Sequence, residues 1–420
     1  MRRGTGRLEL ITAFLTAVIG GLALTTPLAL AWAEGTSTLQ MELLGFNMPR
    51  ASAIGCVAAV MVAVFASTAN SATVAWWVAA TGTVILLVNH LLGSFSTTLA
   101  PLTTLNYVDS LAGGVLMGGV AAVVAPVLLP TVVFVLGALF SIALGDVSVS
   151  ATDYGDPAWH SPIYGFIVGS PPLWLIGPAA ILVVLCALRG RRERAEDDSA
   201  ELPLLPIVAA LVTMSVPLLG SEWLARNGST FGEIFLVAAA TVVAATVAAL
   251  LLPGRDGLLL IQTVALSAVG GAIVFTAETN WLIPLLFVAC VSGLWLGARW
   301  SLPPLGMAVT LLLAWVAVLL GDSQGAVLAA AGIALAAVTG YCFTAALPVQ
   351  GSSLMLCIAT LFVPGLVVAM RGRVFREGGR PPIYTEPSLL TDVTPGVAAL
   401  LVSLGCAVAF LLVRRLRPVG

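Results

Sequence analysis

Hydroxyl side chains recur in pairs in two stretches of this chain, and they are the groups with which a membrane-embedded site could bind a solute. Thr12 and Thr16 lie four residues apart and share one face of a helix, and Thr263 and Ser267 repeat that spacing. Gln262 adds an amide beside the second pair. These groups could form the polar lining of a central cavity, or they could bond their own or a neighbouring helix, as Ser and Thr often do in membranes.

Ionisable side chains inside the apolar segments are scarce, and His90 and Asp109 are the pair that could titrate or gate. An ionisable residue within a membrane is a functional candidate by default, and histidine titrates near neutral pH. His90 lies near the end of one apolar run and Asp109 just ahead of the next, so the two could pair across the intervening loop. The alternative is a pair of interfacial polar residues without a role in coupling.

Catalytic and metal-binding patterns do not occur in the sequence. The chain has two histidines, its six cysteines stand singly in apolar runs, and no G-x-S-x-G, H-E-x-x-H or phosphate-binding loop is found. All 18 basic residues are arginine, the net charge is −2, and no basic tract indicates a nucleic-acid partner. The sequence therefore predicts neither an enzyme nor a bound cofactor or metal.

The elements that must position these residues are transmembrane helices. The 420 residues are 59% hydrophobic and only 9% charged, which is too few charges to cover a soluble protein of this size. Continuous apolar runs of about 20 residues match the length of a membrane-spanning helix, in which the backbone satisfies its own hydrogen bonds. We predict an all-α polytopic membrane protein with about 14 transmembrane helices.

The predicted spans are separated by polar loops, the longest of which cover about 93–110, 146–171 and 371–392. A long run after residue 110 is divided at Pro126 and Pro130 into two helices. The spans cover about 8–32, 51–67, 73–92, 111–125, 131–145, 172–188, 203–220, 232–252, 257–277, 281–297, 303–320, 325–345, 351–370 and 393–413.

Arginine placement predicts the orientation. Most of the 18 arginines fall on the side of the N-terminus, including Arg2, Arg3, Arg7 and the cluster between Arg189 and Arg194. By the positive-inside rule, we predict a protein of the cytoplasmic membrane with both termini in the cytoplasm.

An internal repeat is indicated by two matching stretches. Gly6–Gly20 and Gly257–Gly271 align without a gap at an offset of 251 residues, with seven identities in fifteen positions. A Pro-Ile-Tyr tripeptide precedes both the sixth and the last predicted span, starting at Pro162 and Pro382. We predict two parallel six-helix repeats: an N-terminal bundle (1–190), a charged connector with two inserted helices (191–254) and a C-terminal bundle (255–420).

This six-plus-two-plus-six layout resembles the fourteen-helix branch of the major facilitator superfamily. The resemblance implies two helical halves that rock around a site between them. It is one of architecture. Where that family usually has a charged Gly-Asp-Arg-Gly type cluster after its second helix, this chain has Ser67-Thr68-Ala69-Asn70-Ser71, and Gly254–Gly257 carries such a cluster ahead of the ninth span instead. The Gly-Pro signature that drug antiporters of that family carry in their fifth helix is absent.

These observations predict a secondary transporter or flippase for an apolar or amphipathic solute, with alternating access between two helical halves. Its partners would be the lipid bilayer and a small-molecule or lipid-like substrate. A non-transporting membrane scaffold, or a subunit of a larger membrane complex with a membrane-protein partner, is the alternative. An intramembrane enzyme acting on lipid is a third possibility.

Overall fold

The computed structural model describes residues 6–25, 38–69, 71–95, 102–125, 127–150, 171–189, 204–227, 230–273, 282–320, 325–348, 350–370 and 389–417. The regular elements in these ranges are α-helices. The first eight are α1 (Arg7–Thr25), α2 (Thr38–Thr68), α3 (Ala72–Phe95), α4 (Leu102–Val124), α5 (Leu128–Ser150), α6 (Leu173–Arg189), α7 (Leu205–Asn227) and α8 (Phe231–Leu251).

The remaining helices complete a second set. They are α9 (Gly254–Ala272), α10 (Leu282–Arg299), α11 (Pro303–Leu320), α12 (Ala326–Ala345), α13 (Gly351–Phe362), α14 (Leu366–Met370) and α15 (Leu389–Leu416). Because α13 and α14 together form one span, the fifteen described helices correspond to fourteen segments that could cross the membrane.

The helices have the length and apolarity that a membrane requires. Twelve spans among the described residues are long and apolar enough to cross a bilayer. The shorter apolar helix α6 is a thirteenth. The 19-residue helix α9 has Arg255 and Asp256 in its first turn, and we count it as the fourteenth because it takes the place of α1 in the contacts of the second set. Large apolar side chains such as Leu188, Leu236 and Val408 point outward, as a lipid-facing surface requires. The predicted multi-pass membrane protein is confirmed.

Two helices begin earlier than sequence polarity predicts. α2 starts at Thr38, where a loop is expected up to Arg50, and α4 starts at Leu102, within the segment expected to be a polar loop. In both cases the apolar span also begins earlier than predicted, at Asn47 and at Thr104, so a few polar side chains do not mark the end of a span. Asp109 therefore lies inside α4, and the prediction that it precedes this helix is wrong.

The span predicted as continuous from 351 to 370 is broken. α13 ends at Phe362, residues 363–365 are not helical, and α14 resumes at Leu366. Pro364 has no N–H to donate to the carbonyl of Thr360, and Gly365 follows it, so the break has a local cause.

The helix contacts of the first six helices recur in the second set. Each of six contacts in the first set has a counterpart in the second. In the first set they are α1–α5, α2–α4, α3–α4, α3–α6, α1–α4 and α1–α6. In the same order, their counterparts are α9–α13, α10–α12, α11–α12, α11–α15, α9–α12 and α9–α15. Eight crossings separate α1 from α9, so both begin on the same side of the membrane. This confirms the predicted architecture of two parallel six-helix repeats with two inserted helices.

Glycines bring the paired helices together in both repeats. The Cα of Gly114 in α4 faces the backbone oxygen of Gly55 in α2, and Gly340 in α12 likewise faces that of Cys290 in α10. Gly119 uses another face of α4 to contact the backbone of α3. Close packing over small residues is the main way in which membrane helices associate.

The inserted helices α7 and α8 lie across the junction between the two sets. α8 packs on α9 and α15, whereas α7 contacts α2, α13 and α14. The guanidinium of Arg50 in α2 forms an ion pair with the carboxylate of Glu222 in α7. We propose domain limits at 190 and 254, as the sequence predicts; the charged connector at 190–203 lies outside the described residues.

Candidate functional site: a central cavity between the helix bundles

A cavity of about 310 Å³ lies between the first and second sets of six helices, and we call it the central cavity. Its walls come from the end of α1 and from α5 on one side, and from α9, α10, α12 and the α13–α14 break on the other. The lining parts of α1, α5 and α9 are their later turns, and that of α10 is its early turns. The cavity therefore lies toward the side of the membrane opposite the N-terminus, here called the distal side.

The wall of the central cavity is apolar with a few neutral polar groups. Leucine, isoleucine, valine and phenylalanine side chains form most of it. The hydroxyls are those of Thr25, Ser267 and Thr339, and Cys290 adds a thiol. Among the described residues that line it, none carries a formal charge. A charged solute would lose its hydration here without a partner for its charge, so this wall suits a neutral apolar or amphipathic molecule.

On the other side of the membrane, here called the proximal side, the two sets of helices close against each other. Every residue of α13 from Gly351 to Thr360 is buried. An added Cβ at Gly351 would lie 2.6 Å from the carbonyl oxygen of Ala121, near the proximal end of α4. The Sγ of Cys56 in α2 lies 3.7 Å from the carbonyl oxygen of Ala359. The two sets of helices therefore pack tightly toward the proximal side and enclose the cavity toward the distal side.

Three phenylalanines join the bundles beside the cavity. Phe14 of α1 and Phe140 of α5 have ring centroids 6.3 Å apart, and Phe287 of α10 lies edge-on to Phe140 at 5.2 Å. Phe287 also meets Phe14 at 6.3 Å with perpendicular ring planes. Phe140 and Phe287 line the cavity, so a contact between the two sets of helices forms part of its wall.

The first hydroxyl pair lies away from the central cavity. Thr12 and Thr16 are fully buried and donate to the carbonyls of Leu8 and Thr12 at 2.7 and 2.6 Å. The hydroxyl of Thr12 also lies 3.4 Å from the Sγ of Cys186 in α6. These contacts tie α1 to its own backbone and to a neighbour in the same bundle.

The second group of polar candidates divides between two places. Thr263 is fully buried and donates to the carbonyl of Leu260 at 2.9 Å. The Nε2 of Gln262 donates to the carbonyl of Pro303 at 2.6 Å, which joins α9 to the start of α11. Ser267 lies on the wall of the central cavity. Of the five predicted cavity residues, the structure places Ser267 there.

His90 and Asp109 are brought together between α3 and α4. The Nε2 of His90 lies 3.0 Å from Oδ2 of Asp109, an ion-pair distance, although the atoms are not aligned as in a hydrogen bond. The Nδ2 of Asn89 donates to the other carboxylate oxygen at 2.7 Å and to the carbonyl of Leu105 at 3.0 Å. His90 and Asp109 are almost fully buried in the distal part of the first bundle, and neither lines the central cavity.

The sequence analysis missed the residues that shape the cavity. Phe140, Phe287 and Thr339 stand in apolar runs without any local signal. The break at Pro364-Gly365 does have one, because a Pro-Gly pair within an apolar run predicts a turn or a broken helix.

No protein-family model matches the chain, and no curated protein matches it. Three solved structures that resemble it over nearly its whole length are the human organic anion transporter MFSD10 (TETRAN), the POT family transporter PepTSo and the xylose transporter XylE from E. coli.

The first shares 14% identity, with 97% of this chain and 98% of that chain covered and a TM-score of 0.45. The second shares 12% identity, with 99% of each chain covered and a TM-score of 0.47. The third shares 11% identity, with 97% and 96% covered and a TM-score of 0.42.

Proposed function

We propose that this protein is a secondary transporter or flippase that moves a neutral apolar or amphipathic solute across the cytoplasmic membrane. The observation that carries the proposal is a central cavity with an uncharged wall, built by both sets of six helices and closed at its proximal end. Carriers made of parallel repeats bind their substrates in such a place.

The size and chemistry of the cavity define the solute class. A volume of about 310 Å³ is at the lower end of the range of small-molecule sites, which is roughly 300–1,000 Å³. The hydroxyls of Ser267 and Thr339 stand among apolar side chains, so one part of the solute can accept or donate a hydrogen bond while the remainder packs against leucine and phenylalanine. A small molecule with a single polar end fits this pattern.

In alternating access, the contact between the two sets of helices would open at the proximal end and close at the distal end. In the proposed cycle, the contact of Gly351 with α4 opens on the proximal side, while α5 closes on α10 and α12 over the cavity. The phenylalanines at positions 14, 140 and 287 lie at this second junction and would tighten in the proximal-open state. With both termini proposed to lie in the cytoplasm, the distal side would be the outer side, and we propose that this arrangement is the outward-open state.

The other predicted site residues keep their proposed roles in modified form. We propose that Ser267 contacts the solute, and that Thr12, Thr16, Gln262 and Thr263 support α1 and α9 beside it. The His90–Asp109 pair is proposed as a coupling or gating element of the first bundle that acts through the packing of α3 on α4.

Filling the cavity tests the proposal. A Cβ added at Gly270 would meet only Cδ2 of Leu335, at 3.7 Å, so Gly270→Phe adds a ring to the cavity without moving the backbone. A Cβ at Gly177 of α6 has no neighbour within 4 Å and faces away from the cavity, so Gly177→Phe is the matched control. Both variants and the parent chain are reconstituted in vesicles, and uptake of a panel of neutral amphipathic solutes and organic ions is measured.

The expected result is uptake of a neutral solute that Gly270→Phe abolishes and Gly177→Phe leaves unchanged, with similar thermal unfolding of all three proteins. Uptake restricted to organic ions would refute the solute class. Absence of any uptake, or equal uptake by Gly270→Phe and the parent, would refute the carrier and favour a membrane scaffold.

A further inference from the structure

The end of α10 and the start of its connection to α11 form an exposed aromatic and basic patch on the proximal side. Trp295, Trp300 and Leu302 are 60%, 59% and 58% exposed. Arg299 is the last residue of α10 and is exposed as well. We call these four residues the proximal patch. Because α10 is apolar and long enough to cross a bilayer, its end lies where the membrane meets water.

Trp295 holds the guanidinium of Arg299 in place. The two residues are one helical turn apart, and the Cζ of Arg299 lies over the ring of Trp295, 5.5 Å from its centroid. Within the described ranges, the guanidinium of Arg299 forms no ion pair and no hydrogen bond. Its five N–H donors are therefore available to an acceptor outside the protein.

Hydrogen bonds fix the connection that carries Trp300 and Leu302. The hydroxyl of the buried Tyr341 in α12 donates to the carbonyl of Trp300 at 2.9 Å and accepts from the N–H of Leu302 at 3.3 Å. Ser301 donates to the carbonyl of Ala345, at the end of α12, at 2.7 Å. The patch is thus built on a backbone that is already ordered, which lowers the entropy cost of binding a partner.

Arg299 has no counter-ion in its own part of the structure. It is the single formal charge among the described residues 282–320 and 325–348, which hold α10, α11 and α12. α5 also packs on α10 and α12, and its proximal turns, from Leu128 to Phe140, contain no acidic residue. An exposed guanidinium without a partner attracts anions from its surroundings, and its fork of N–H groups matches the geometry of phosphate.

The exposed face of α10 that carries Arg299 continues into the membrane as an apolar surface. Val288, Val291 and Trp295 are exposed at helical spacing on this face, three or four residues apart. A partner that contacts both the guanidinium and this surface needs a phosphate joined to an acyl chain, which is the chemistry of a phospholipid. A soluble anion would contact the guanidinium alone.

We propose that the proximal patch binds one anionic phospholipid. Its phosphate accepts hydrogen bonds from Arg299, and an acyl chain packs on the face that holds Val288 and Val291. A zwitterionic headgroup carries a cation of its own and leaves the charge of Arg299 uncompensated, so a headgroup with a net negative charge is preferred. This binding depends neither on the proposed transport nor on which side of the membrane faces the cytoplasm.

The binding test uses the purified full-length chain in detergent, with phosphatidylglycerol or phosphatidylcholine of identical acyl chains added in rising amounts. A bound lipid raises the unfolding temperature, so we expect a saturable rise with phosphatidylglycerol that exceeds the rise with phosphatidylcholine. Inorganic phosphate at the same concentration should have no such effect. Equal unfolding temperatures with the two lipids would overturn the proposal and leave Arg299 as a solvated anchor. Equal stabilisation by inorganic phosphate would also overturn it and assign the patch to a soluble anion.

Replacing Arg299 separates the patch from a general attraction of anionic lipid to this side of the protein. Arg299→Gln should raise the half-saturating amount of phosphatidylglycerol about fivefold, the factor that corresponds to about 1 kcal/mol for one arginine at an anionic membrane surface. Arg189→Gln is the matched control and should change this amount little. Arg189 is the exposed last residue of α6 on the same side, and it lies over no ring among the described residues. An equal loss in the two variants would refute a specific site.

Variants of Trp295 test the aromatic support. Trp295→Leu keeps an apolar side chain and removes the ring beneath Arg299, so the affinity for phosphatidylglycerol should fall about two- to fivefold, the value of a cation–π contact at an exposed site. Trp295→Phe keeps an aromatic face and should lose less. Trp315→Leu is the control, at an exposed tryptophan of α11 over which no cation of the described residues lies, and it should leave the affinity unchanged. An equal loss in Trp295→Phe and Trp295→Leu would refute the aromatic support, and full affinity in both Arg299→Gln and Trp295→Leu would refute the site.

Discussion

Replacing a glycine in these helices by alanine should raise or lower the free energy of unfolding, depending on what the added Cβ contacts. A Cβ on Gly114 would overlap the backbone oxygen of Gly55 and would lie 2.9 Å from its carbonyl carbon and 3.2 Å from its Cα. A Cβ on Gly270 would meet only a leucine methyl, at 3.7 Å. We therefore compare Gly114→Ala with Gly270→Ala, which change the same atoms in two different surroundings.

The expected free energies have opposite signs. Alanine is favoured over glycine inside a helix by about 0.5–1 kcal/mol, and Gly270→Ala should stabilise the protein by about that amount. At Gly114 the neighbour is a backbone that cannot rotate away, so the helices must separate, and overpacking of this kind costs about 1–3 kcal/mol or more. The net effect of Gly114→Ala is a destabilisation of about 1–2 kcal/mol, which leaves the two variants roughly 1.5–3 kcal/mol apart.

Unfolding in detergent measures this difference, either by heat or by titration with a denaturing detergent. Gly118→Ala serves as a second instance, because its Cβ would overlap the backbone oxygen of Ala59 in α2. Equal stability of Gly114→Ala and Gly270→Ala would refute the close approach of α2 and α4, and with it the packing that defines the first bundle.

Arg50→Met should destabilise the protein by about 1–3 kcal/mol in thermal unfolding, because Glu222 loses its ion pair while its side chain is only 9% exposed. The double variant Arg50→Met with Glu222→Gln should recover part of this stability, and no recovery would contradict the pairing. Phe287→Leu should lower the unfolding free energy by about 1 kcal/mol through loss of its edge contact with Phe140, and an unchanged value would show that the rings do not join the bundles. Pro364→Ala should lower the rate of solute uptake in vesicles while the protein stays folded, since the restored N–H favours a continuous helix; an unchanged rate would rule out a moving break.

The class and the repeat of this protein are predictable from its sequence because they follow from long-range composition. A bilayer demands runs of about 20 apolar residues, and these can be counted directly. Arg50 and Asp109 show the limit of this approach, because each was assigned to a loop or its edge on polarity and lies within a helix and its candidate membrane span. Single polar residues therefore do not locate the ends of a span.

The position of the cavity was not predictable in the same way. Thr16 and Ser267 occupy matching positions in the two repeats, and from sequence alone both are candidates for a solute contact. In the structure Thr16 is fully buried, whereas Ser267 faces an open space. Which of the two residues faces the open space depends on how helices of different bundles pack against each other, and no local spacing encodes that packing.

The two repeats differ at the helices that face each other across the cavity. In α5 the proline nearest the start, Pro130, lies in the first turn, where it removes no helical hydrogen bond, and the helix continues past the cavity wall. In the equivalent span of the second repeat, Pro364 and Gly365 lie well past the first turns and divide the helix. A divided helix has fewer backbone bonds to lose when it bends, so movement of this wall costs less than movement of α5. The inserted helix α7 packs on α13 and α14, on both sides of the break, and so supports the divided helix. We therefore expect the wall at the break to move more easily than α5, with α7 as the element that holds it.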